Sequence, residues 1–421
     1  MIADLVLYNI KTLYTPHHEP PLRHQELNDI LSIDDAYLAI KDGVIIGFGA
    51  GDGAQHIDES TTVHDLAGAI VCPGFIDGHS HLVHAGSRED EFALLREGVP
   101  YLDILAKGGG IHGTVKKTQE ATPEALFKQA YTSLDRMMAH GVTTLEAKSG
   151  YGLERATERK QLQVARQLNQ QHPVRLISTY MGAHALPKAY TNKRKTFIDQ
   201  VIRDLDVIKK EDLAEAVDIF CEKNAFTVQE AKTILTAAQR KGFKVKIHAD
   251  EIVSLGGTAL GVKLGATSVD HLMAITNDDI ERLADSDTVA NILPGTSFHL
   301  NRAYARARTM IDKGVAVAVA GDYNPGSCPT ENFMLIMQLA ANQLKMKPGE
   351  VLSAVTLNAA YHLGLSGQTG SIATGKQADL VVLDAPNLAY TLYHFGINHV
   401  KDVYIGGQRV VHDRQITRRN P

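Results

Sequence analysis

Two histidines, His79 and His81, lie one residue apart directly after the apolar segment Phe75–Asp77. In an extended strand, residues i and i+2 point to the same face, so the two imidazole rings would project together. Neutral imidazole is the commonest protein ligand for zinc, and it also suits iron and nickel. The spacing therefore predicts part of a metal site, although two merely exposed histidines would give the same pattern.

Further along the chain, three more apolar runs end in histidine or acidic residues. His248 and Glu251 follow one run, His271 ends the next, and the run at 315–320 leads through a glycine to Asp322. Because a buried carboxylate is costly without a partner, a cation near Asp322 is expected. Three imidazoles and one carboxylate, from His79, His81, His248 and Asp322, suit zinc or another divalent metal and leave a position for water. Taken singly, His248 and His271 also fit hydrogen-bonded core histidines, and Asp322 also fits a residue that caps a turn.

The middle of the chain alternates short apolar runs with helical patterns, which is typical of βα units around a parallel sheet. Thr122-Pro123 predicts one helix start, and Thr227 with Glu230 predicts a capping box at another. Eight strands are predicted, namely the segment ending at His81 and residues 142–146, 174–180, 217–221, 244–248, 268–271, 289–293 and 315–320. This content predicts a (β/α)8 barrel with its site at the carboxyl ends of the strands, and a doubly wound sheet is the alternative.

Both ends of the chain are rich in short strands. Asp42-Gly43 between two apolar runs is a strong hairpin signal, because that turn needs positive φ. A similar pattern of short apolar runs and glycine turns occurs at 378–383 and 400–411. We therefore expect a small β-sandwich domain assembled from residues 1–70 and 370–421, around a barrel domain at 71–369.

Composition limits the class of protein and its partners. The 421 residues are 44% hydrophobic and 22% charged, with a net charge of -5 and no long basic block, so neither nucleic acid nor a membrane is expected as a partner. Cys72, Cys221 and Cys328 are too few and too scattered for a disulfide framework. No signal-peptide pattern begins the chain, which favours a cytoplasmic protein with a small-molecule substrate.

The positions of the predicted ligands resemble the amidohydrolase superfamily. Its barrels carry His-x-His on strand 1, histidines on strands 5 and 6, and an aspartate on strand 8, and the resemblance extends over essentially the whole chain. Several segments resemble one branch of that superfamily in particular: Asp77-Gly78-His79-Ser80-His81 with Arg88, Lys107-Gly108-Gly109-Gly110-Ile111, Glu146-Ala147-Lys148-Ser149-Gly150-Tyr151-Gly152, His248-Ala249-Asp250-Glu251, and Asp322-Tyr323-Asn324-Pro325-Gly326-Ser327.

The resemblance implies a metal-dependent hydrolase that opens the ring of 4-imidazolone-5-propanoate with water and gives N-formimidoyl-L-glutamate in histidine breakdown. A metal-activated water suits attack on the ring carbonyl. Asp322 would receive the water's proton and pass it to the departing nitrogen, and His271 would hydrogen-bond the water or the oxyanion. Glu251 is a second candidate acid or base, and the choice of principal base among these three stays open.

The propanoate group of that substrate calls for a fixed cation, preferably an arginine. The resemblance implies Arg88 in this role, although a solvated surface arginine is the plain alternative. It also implies substrate contacts from Tyr151, His184, Glu251, Asn324, Gly326 and Ser327.

One metal, zinc or iron, is expected in each subunit of a homodimer. Binuclear relatives carry a bridging lysine at the end of strand 4, whereas Lys223 lies beyond that strand here and Lys148 follows strand 2. The rival functions are a deaminase of an aromatic amine such as guanine or cytosine and a barrel scaffold without catalysis. Two other patterns receive plain interpretations: the glycines at 108–110 form a loop over the pocket, and the arginines at 302–308 lie on a solvated helix.

Overall fold

A computed structural model describes residues 1–99 and 109–417, so Lys107 and Gly108 of the glycine-rich motif lie outside the described residues. The described chain forms two sheets, one parallel and one mixed. Their strands are β1 (Leu5–Pro16), β2 (Ile30–Lys41), β3 (Val44–Ala50), β4 (Thr62–Asp65), β5 (Ile70–Pro73), β6 (Phe75–Asp77), β7 (Val142–Lys148), β8 (Arg175–Ala183), β9 (Ala216–Cys221), β10 (Lys244–Ala249), β11 (Ser268–His271), β12 (Val289–Ile292), β13 (Val317–Val319), β14 (Leu380–Leu383), β15 (Val400–Ile405), β16 (Gln408–His412) and β17 (Gln415–Ile416).

Strands β6 to β13 form an eight-stranded parallel sheet in which each strand pairs with the next one along the chain. The first and last strands meet just beyond their ends, where Ser80 and Tyr323 form a parallel bridge. The sheet is thus a nearly closed barrel, and the predicted (β/α)8 fold is confirmed. Every one of the eight predicted strand segments contributes a barrel strand, except that β6 ends at Asp77 rather than at His81.

Helices connect and cover the barrel strands. They are α1 (Glu89–Arg96), α2 (Ile111–Glu120), α3 (Pro123–Ala139), α4 (Arg155–Gln171), α5 (Arg194–Lys210), α6 (Val228–Arg240), α7 (Gly257–Leu264), α8 (Asn277–Ala284), α9 (Pro294–Leu300), α10 (Ala307–Asp312), α11 (Phe333–Asn342), α12 (Pro348–Ala354), α13 (Leu357–Leu363) and α14 (Leu388–Tyr393). The hydroxyl of Thr122 accepts a hydrogen bond from the backbone of Ala125 at the start of α3, and Thr227 and Glu230 form the predicted capping box of α6.

The mixed sheet has nine strands and joins the two ends of the chain. Strand β14, near the carboxyl end, pairs antiparallel with β5, and β5 pairs with β1. The hairpin of β2 and β3 turns at Asp42 and Gly43, which both have positive φ, as the Asp-Gly signal predicts. The structure thus contains the predicted barrel and the predicted sheet built from both chain ends. The domain bounds at residues 70 and 370 stay a prediction.

Apolar side chains fill the space between the barrel and its helices. The three cysteines are buried and free, in agreement with the prediction that they are packed thiols. Among the described residues, none of the helices combines the length and the apolar content that crossing a lipid bilayer requires.

Candidate metal centre and active-site cavity

The predicted metal ligands converge at the carboxyl end of the barrel. Ring nitrogens of His79, His81 and His248 lie within 4.8 Å of one another, and so do ligand atoms of His79, His271 and Asp322. The Oδ1 atom of Asp322 lies 3.5 Å from Nε2 of His79 and 3.9 Å from Nε2 of His81. Residues from four separate strands therefore meet around one point.

The state of the imidazoles fits a divalent metal. Among the described residues, Nε2 of His79 and Nε2 of His248 are buried without a hydrogen-bond partner, which is costly unless another group binds them. Burial lowers the pKa of His79 and of His81 well below the ordinary value, and neighbouring positive charges lower both further. Neutral rings with free nitrogens are what metal ligation needs.

Backbone hydrogen bonds hold the first and last barrel strands together at this point. The amide of Asp322 donates to the carbonyl of His79 over 2.9 Å, and the amide of His81 donates to the carbonyl of Tyr323 over 2.8 Å. Asp77 Oδ1 also accepts from the amide of Gly321 over 2.8 Å. The barrel thus closes where His79, His81 and Asp322 lie.

Three residues that leave the barrel strands toward the cluster have left-handed backbones. Asp250, His271 and Asp322 have φ values of 54°, 82° and 57°. Such values are uncommon for residues other than glycine, and they concentrate at functional sites. They turn the chain sharply at the strand ends. His271 and Asp322 line the cavity there, whereas the carboxylate of Asp250 accepts from the hydroxyl of Thr258.

Thr296 fixes the second oxygen of Asp322. Its hydroxyl donates a short hydrogen bond to Oδ2, and the hydroxyl of Ser327 lies 3.3 Å from the same atom. Oδ1 is thereby left facing the imidazoles of His79 and His81. Thr296 is absent from the sequence-based site, because a threonine in a short helix carries no sign of its long-range partner.

A second layer of the site consists of carboxylates inside the barrel. Asp270 Oδ2 lies 2.6 Å from Nδ1 of His79, and Asp218 Oδ2 lies 3.1 Å from Nδ1 of His248. Burial alone would lower the pKa of His248, but the carboxylate of Asp218 raises it above its ordinary value. Neither aspartate is among the predicted site residues, although an acid within an apolar strand such as β9 is a usable signal.

The histidine and aspartate cluster lies at the bottom of a cavity of about 610 Å³. His79 lies deeper, fully buried below the cavity. All the other predicted site residues line the cavity, namely His81, Arg88, Tyr151, His184, His248, Glu251, His271, Asp322, Asn324, Gly326 and Ser327. The structure therefore brings the histidine and aspartate cluster and the predicted substrate residues into one cavity.

Arg88, the cation predicted for a substrate carboxylate, lines the cavity, and its guanidinium lies against Gly326. Its Nε donates to the hydroxyl of Thr114 over 2.9 Å, which orients the group. Arg302 also lines the cavity, although the sequence analysis placed it on a solvated helix. That interpretation is wrong for Arg302, because α10 begins only at Ala307. Arg308 does lie on α10, but its guanidinium pairs with the buried Glu350.

Aromatic rings form the wall next to the cluster. The ring of His184 stacks on that of His81 with centroids 4.8 Å apart and planes 11° apart, and Tyr151 lies edge-on to His81 at 5.6 Å. The loop that carries Tyr151 is held by the buried Glu158, whose carboxylate accepts from the amides of Gly150, Gly152 and Leu153. Tyr151 is therefore presented by an ordered backbone.

Glu251 and Asn324, two predicted substrate contacts, differ in how their side chains are engaged within the protein. Glu251 Oε2 lies 3.8 Å from Nε2 of His271, and both face the cavity. Asn324 uses its side-chain amide within its own turn, since Nδ2 donates to Asp322 and Ser327 and Oδ1 accepts from Gly326 and Ser327. Asn324 thus shapes the turn that supports Gly326 and Ser327.

Comparison with known proteins identifies the family of this chain. The model of the amidohydrolase family matches residues 70–410 of the chain. The chain therefore belongs to the amidohydrolase family. The solved structures of an adenosine deaminase from Xanthomonas campestris with bound zinc (TM-score 0.73, 18% identity, 99% of this chain and 95% of that one) and of E. coli guanine deaminase (TM-score 0.72, 16% identity, 97% and 98%) share the fold.

Within that family, imidazolonepropionases are similar to this chain over nearly its full length. The protein of that name from Fusobacterium nucleatum is 48% identical over 411 residues, which cover 97% of this chain and 99% of the relative. The imidazolonepropionase from Bacillus cytotoxicus is 49% identical over 408 residues, covering 96% of each chain. The similarity spans both the barrel and the sheet formed by the chain ends.

Proposed function

We propose that the protein hydrolyses 4-imidazolone-5-propanoate to N-formimidoyl-L-glutamate, the ring-opening step of histidine breakdown. The full-length similarity to imidazolonepropionases supports this function. The observation that supports it structurally is that one cavity is lined both by Arg88 and by a cluster suited to a divalent metal. A substrate with a carboxylate at one end and a hydrolysable ring at the other fits such an arrangement.

His79, His81, His248 and Asp322 are the residues that would hold the metal. A divalent metal bound there supplies a water of lowered pKa as the nucleophile for the ring carbonyl. The buried, unpartnered Nε2 atoms of His79 and His248 support this ligand set.

Three groups that face the cavity handle protons. We assign to Asp322 the acceptance of the water's proton and its transfer to the departing ring nitrogen, because Thr296 holds its carboxylate in place. His271 is positioned to hydrogen-bond the oxyanion that develops at the ring carbonyl. Glu251, 3.8 Å from His271, is assigned to the ring N–H groups and is the alternative base.

Arg88 binds the propanoate group in this proposal, with the hydroxyl of Tyr151 and the ring of His184 beside it. Arginine suits this role because its guanidinium can form two parallel hydrogen bonds to a carboxylate. Gly326 and Ser327 also line the cavity, and Gly326 lies next to the guanidinium.

The direct test is the loss of imidazolone propanoate absorbance with the purified enzyme. We expect turnover without release of ammonia, because the ring opens and no amino group is expelled. The His248→Ala variant should lose both turnover and metal. Ammonia released from guanine, with no turnover of imidazolone propanoate, would contradict the proposal in favour of a deaminase. A wild-type protein that stays inactive after zinc or iron is restored would favour the scaffold.

We also infer one zinc or iron ion per subunit, a homodimer and a cytoplasmic location. The three histidine ligands suit either metal, and three free thiols fit a reducing compartment. Elemental analysis of the native protein measures the metal and its stoichiometry. Light scattering after size exclusion measures the oligomeric state, and fractionation of the source cells measures the location.

A further inference from the structure

Next to the predicted metal ligands lies a group of five charged side chains that have almost no contact with water. Glu146, Lys148, Asp218, Lys246 and Asp270 are each at most 1% exposed. Isolated charges in a protein interior are very unfavourable, so such groups persist only when they are paired and hydrogen-bonded. We call this set the buried charge group.

Lys148 stands at the centre of the buried charge group. Its Nζ atom lies 2.7 Å from Asp218 Oδ2, 3.0 Å from Glu146 Oε2 and 3.6 Å from Asp270 Oδ2. One ammonium therefore contacts carboxylates from β7, β9 and β11. Burial alone would lower the pKa of Lys148, but these three carboxylates raise it above its ordinary value.

Two of these carboxylates continue to the predicted metal ligands. Asp270 Oδ2 is 2.6 Å from Nδ1 of His79, and Asp218 Oδ2 is 3.1 Å from Nδ1 of His248. Contacts thus run from Lys148 to both imidazoles through one carboxylate each. Groups that contact the far nitrogen of a ligating histidine set the orientation and basicity of the ring.

Lys246 is the natural comparison, because it is the other buried lysine of the same group. Its Nζ atom lies 2.5 Å from Glu146 Oε2 and 3.2 Å from the carbonyl oxygen of Gly78. Its hydrogen bonds go to neither Asp218 nor Asp270. The two lysines therefore match in burial and charge but differ in whether they contact the carboxylates that hold the histidines.

The group contains three carboxylates and two ammonium groups. Glu146 is shared by both lysines, whereas Asp218 and Asp270 have Lys148 as their buried ammonium partner. Without that ammonium, two buried aspartates would repel each other and would be drawn toward the histidine rings or toward water. Either movement would turn His79 and His248 away from their common point.

We propose that Lys148 is a positioning residue of the metal centre: it holds Asp218 and Asp270 in place, and these in turn fix His79 and His248 with Nε2 directed at the metal. The proposal rests on the proposed function only in that the cluster binds a divalent metal. Lys148 touches neither substrate nor metal. Its effect is exerted through the two aspartates.

The test measures metal binding rather than turnover. Cobalt(II) is loaded into the wild type, Lys148→Met and Lys246→Met, its affinity is determined by competition with a chelator, and the visible spectrum of each cobalt protein is recorded. We expect Lys148→Met to weaken binding by about 10- to 100-fold, the range known for groups that orient ligands, and to shift the cobalt bands. Lys246→Met should change both much less, even though it removes the same buried charge.

Equal losses of affinity in the two lysine variants, or unchanged affinity and spectrum in Lys148→Met, would overturn the proposal. Asp218→Asn provides a second route if Lys148→Met does not fold, because it breaks the same connection with little change in shape. It should weaken cobalt binding and shift the bands, and unchanged binding in this variant would equally overturn the proposal. A wild type that binds cobalt but leaves imidazolone propanoate intact would refute the proposed function and leave the role of Lys148 standing.

Discussion

The guanidinium of Arg88 occupies the space in which a side chain at Gly326 would have to lie. A Cβ atom built on Gly326 would fall far inside van der Waals contact with Nη1 of Arg88. On its other side, the guanidinium is held by the hydroxyl of Thr114. The position of the proposed carboxylate-binding group thus depends on a glycine more than 200 residues away.

Gly326→Ala should therefore impair substrate binding without unfolding the protein. The clash falls on the end of a flexible side chain, so we expect Arg88 to move and KM to rise by roughly tenfold, equivalent to about 1.4 kcal/mol. Steady-state kinetics and thermal unfolding measure the two effects. Gly367→Ala is the control, because a Cβ there meets nothing within 4 Å. An unchanged KM in Gly326→Ala would argue against Arg88 as the propanoate site.

Thr296→Val should weaken the metal centre through Asp322. Valine keeps the shape of threonine but removes the hydroxyl that donates to Oδ2. We expect metal affinity and kcat/KM to fall by about 10-fold or more, because the carboxylate loses its orientation. Thr356→Val removes a buried hydroxyl that donates to the carbonyl of Leu352; neither residue lines the cavity, so the change should affect stability alone. Equal metal affinity in the two variants would contradict this role of Thr296.

Glu158→Gln should loosen the loop that carries Tyr151. The carboxylate accepts three backbone hydrogen bonds, and an amide has only one oxygen with which to accept them. We expect the free energy of unfolding to fall by about 1–3 kcal/mol, the cost of a buried donor without a partner, and KM to rise. Denaturant unfolding and kinetics measure these effects. A variant with the stability and the KM of the wild type would show that the loop is ordered by other contacts.

Removal of the metal should destabilise the folded protein as well as abolish turnover. A ligand that binds only the native state stabilises it by about 2.7 kcal/mol at 100 times its Kd. We therefore expect the chelator-treated protein to unfold at lower temperature and to recover when zinc or iron is added back. His248→Ala should show no such response. A wild type whose unfolding temperature does not change on addition of metal would contradict the proposed ligand set.

Acid should destabilise the protein in part through His84. Burial lowers the pKa of this histidine to about 4, and the nearby Arg88 adds to the effect. In the unfolded chain this histidine takes up a proton near pH 6.5, whereas in the folded protein it does so only near pH 4. The free energy of unfolding is therefore unaffected by His84 above pH 6.5 and falls as the pH drops toward 4. Between pH 6.5 and pH 5 the contribution of His84 is roughly 2 kcal/mol. Urea unfolding of the wild type and His84→Asn across this range should show a shallower loss in the variant, and parallel losses would exclude His84 as the cause.

Much of the fold is predictable because local chemistry and tertiary structure agree. Each barrel strand contains apolar residues that are visible in the sequence, and the caps at Thr122 and Thr227 mark helix starts that the structure contains. The turn at Asp42 and Gly43 is fixed by its two residues alone. The pairing of β14 with β5 is different, because no pattern in either strand identifies a partner so distant in sequence.

The residues of the site likewise divide into those that the sequence predicts and those that depend on tertiary contacts. Residues that follow a strand, such as His248 and Asp322, are predictable because the carboxyl ends of parallel strands meet at one end of a barrel. Lys148, Asp218 and Asp270 lie within or at the end of strands, and their roles depend on contacts across the barrel. Such contacts leave no trace in the spacing of residues, and from the sequence Lys148 is recognisable only as a lysine on the wrong strand for a bridging ligand.

The pairing of β5 with β14 has a consequence for how the chain is made. Strand β5 leaves the ribosome just before the first barrel strand, but its neighbour β14 is synthesised only after the whole barrel. Until then, one edge of β5 offers unpaired backbone groups, which favour association with other chains. Completion of the terminal sheet is therefore a late step of biogenesis, and translation that stops after the barrel would release a chain prone to aggregate.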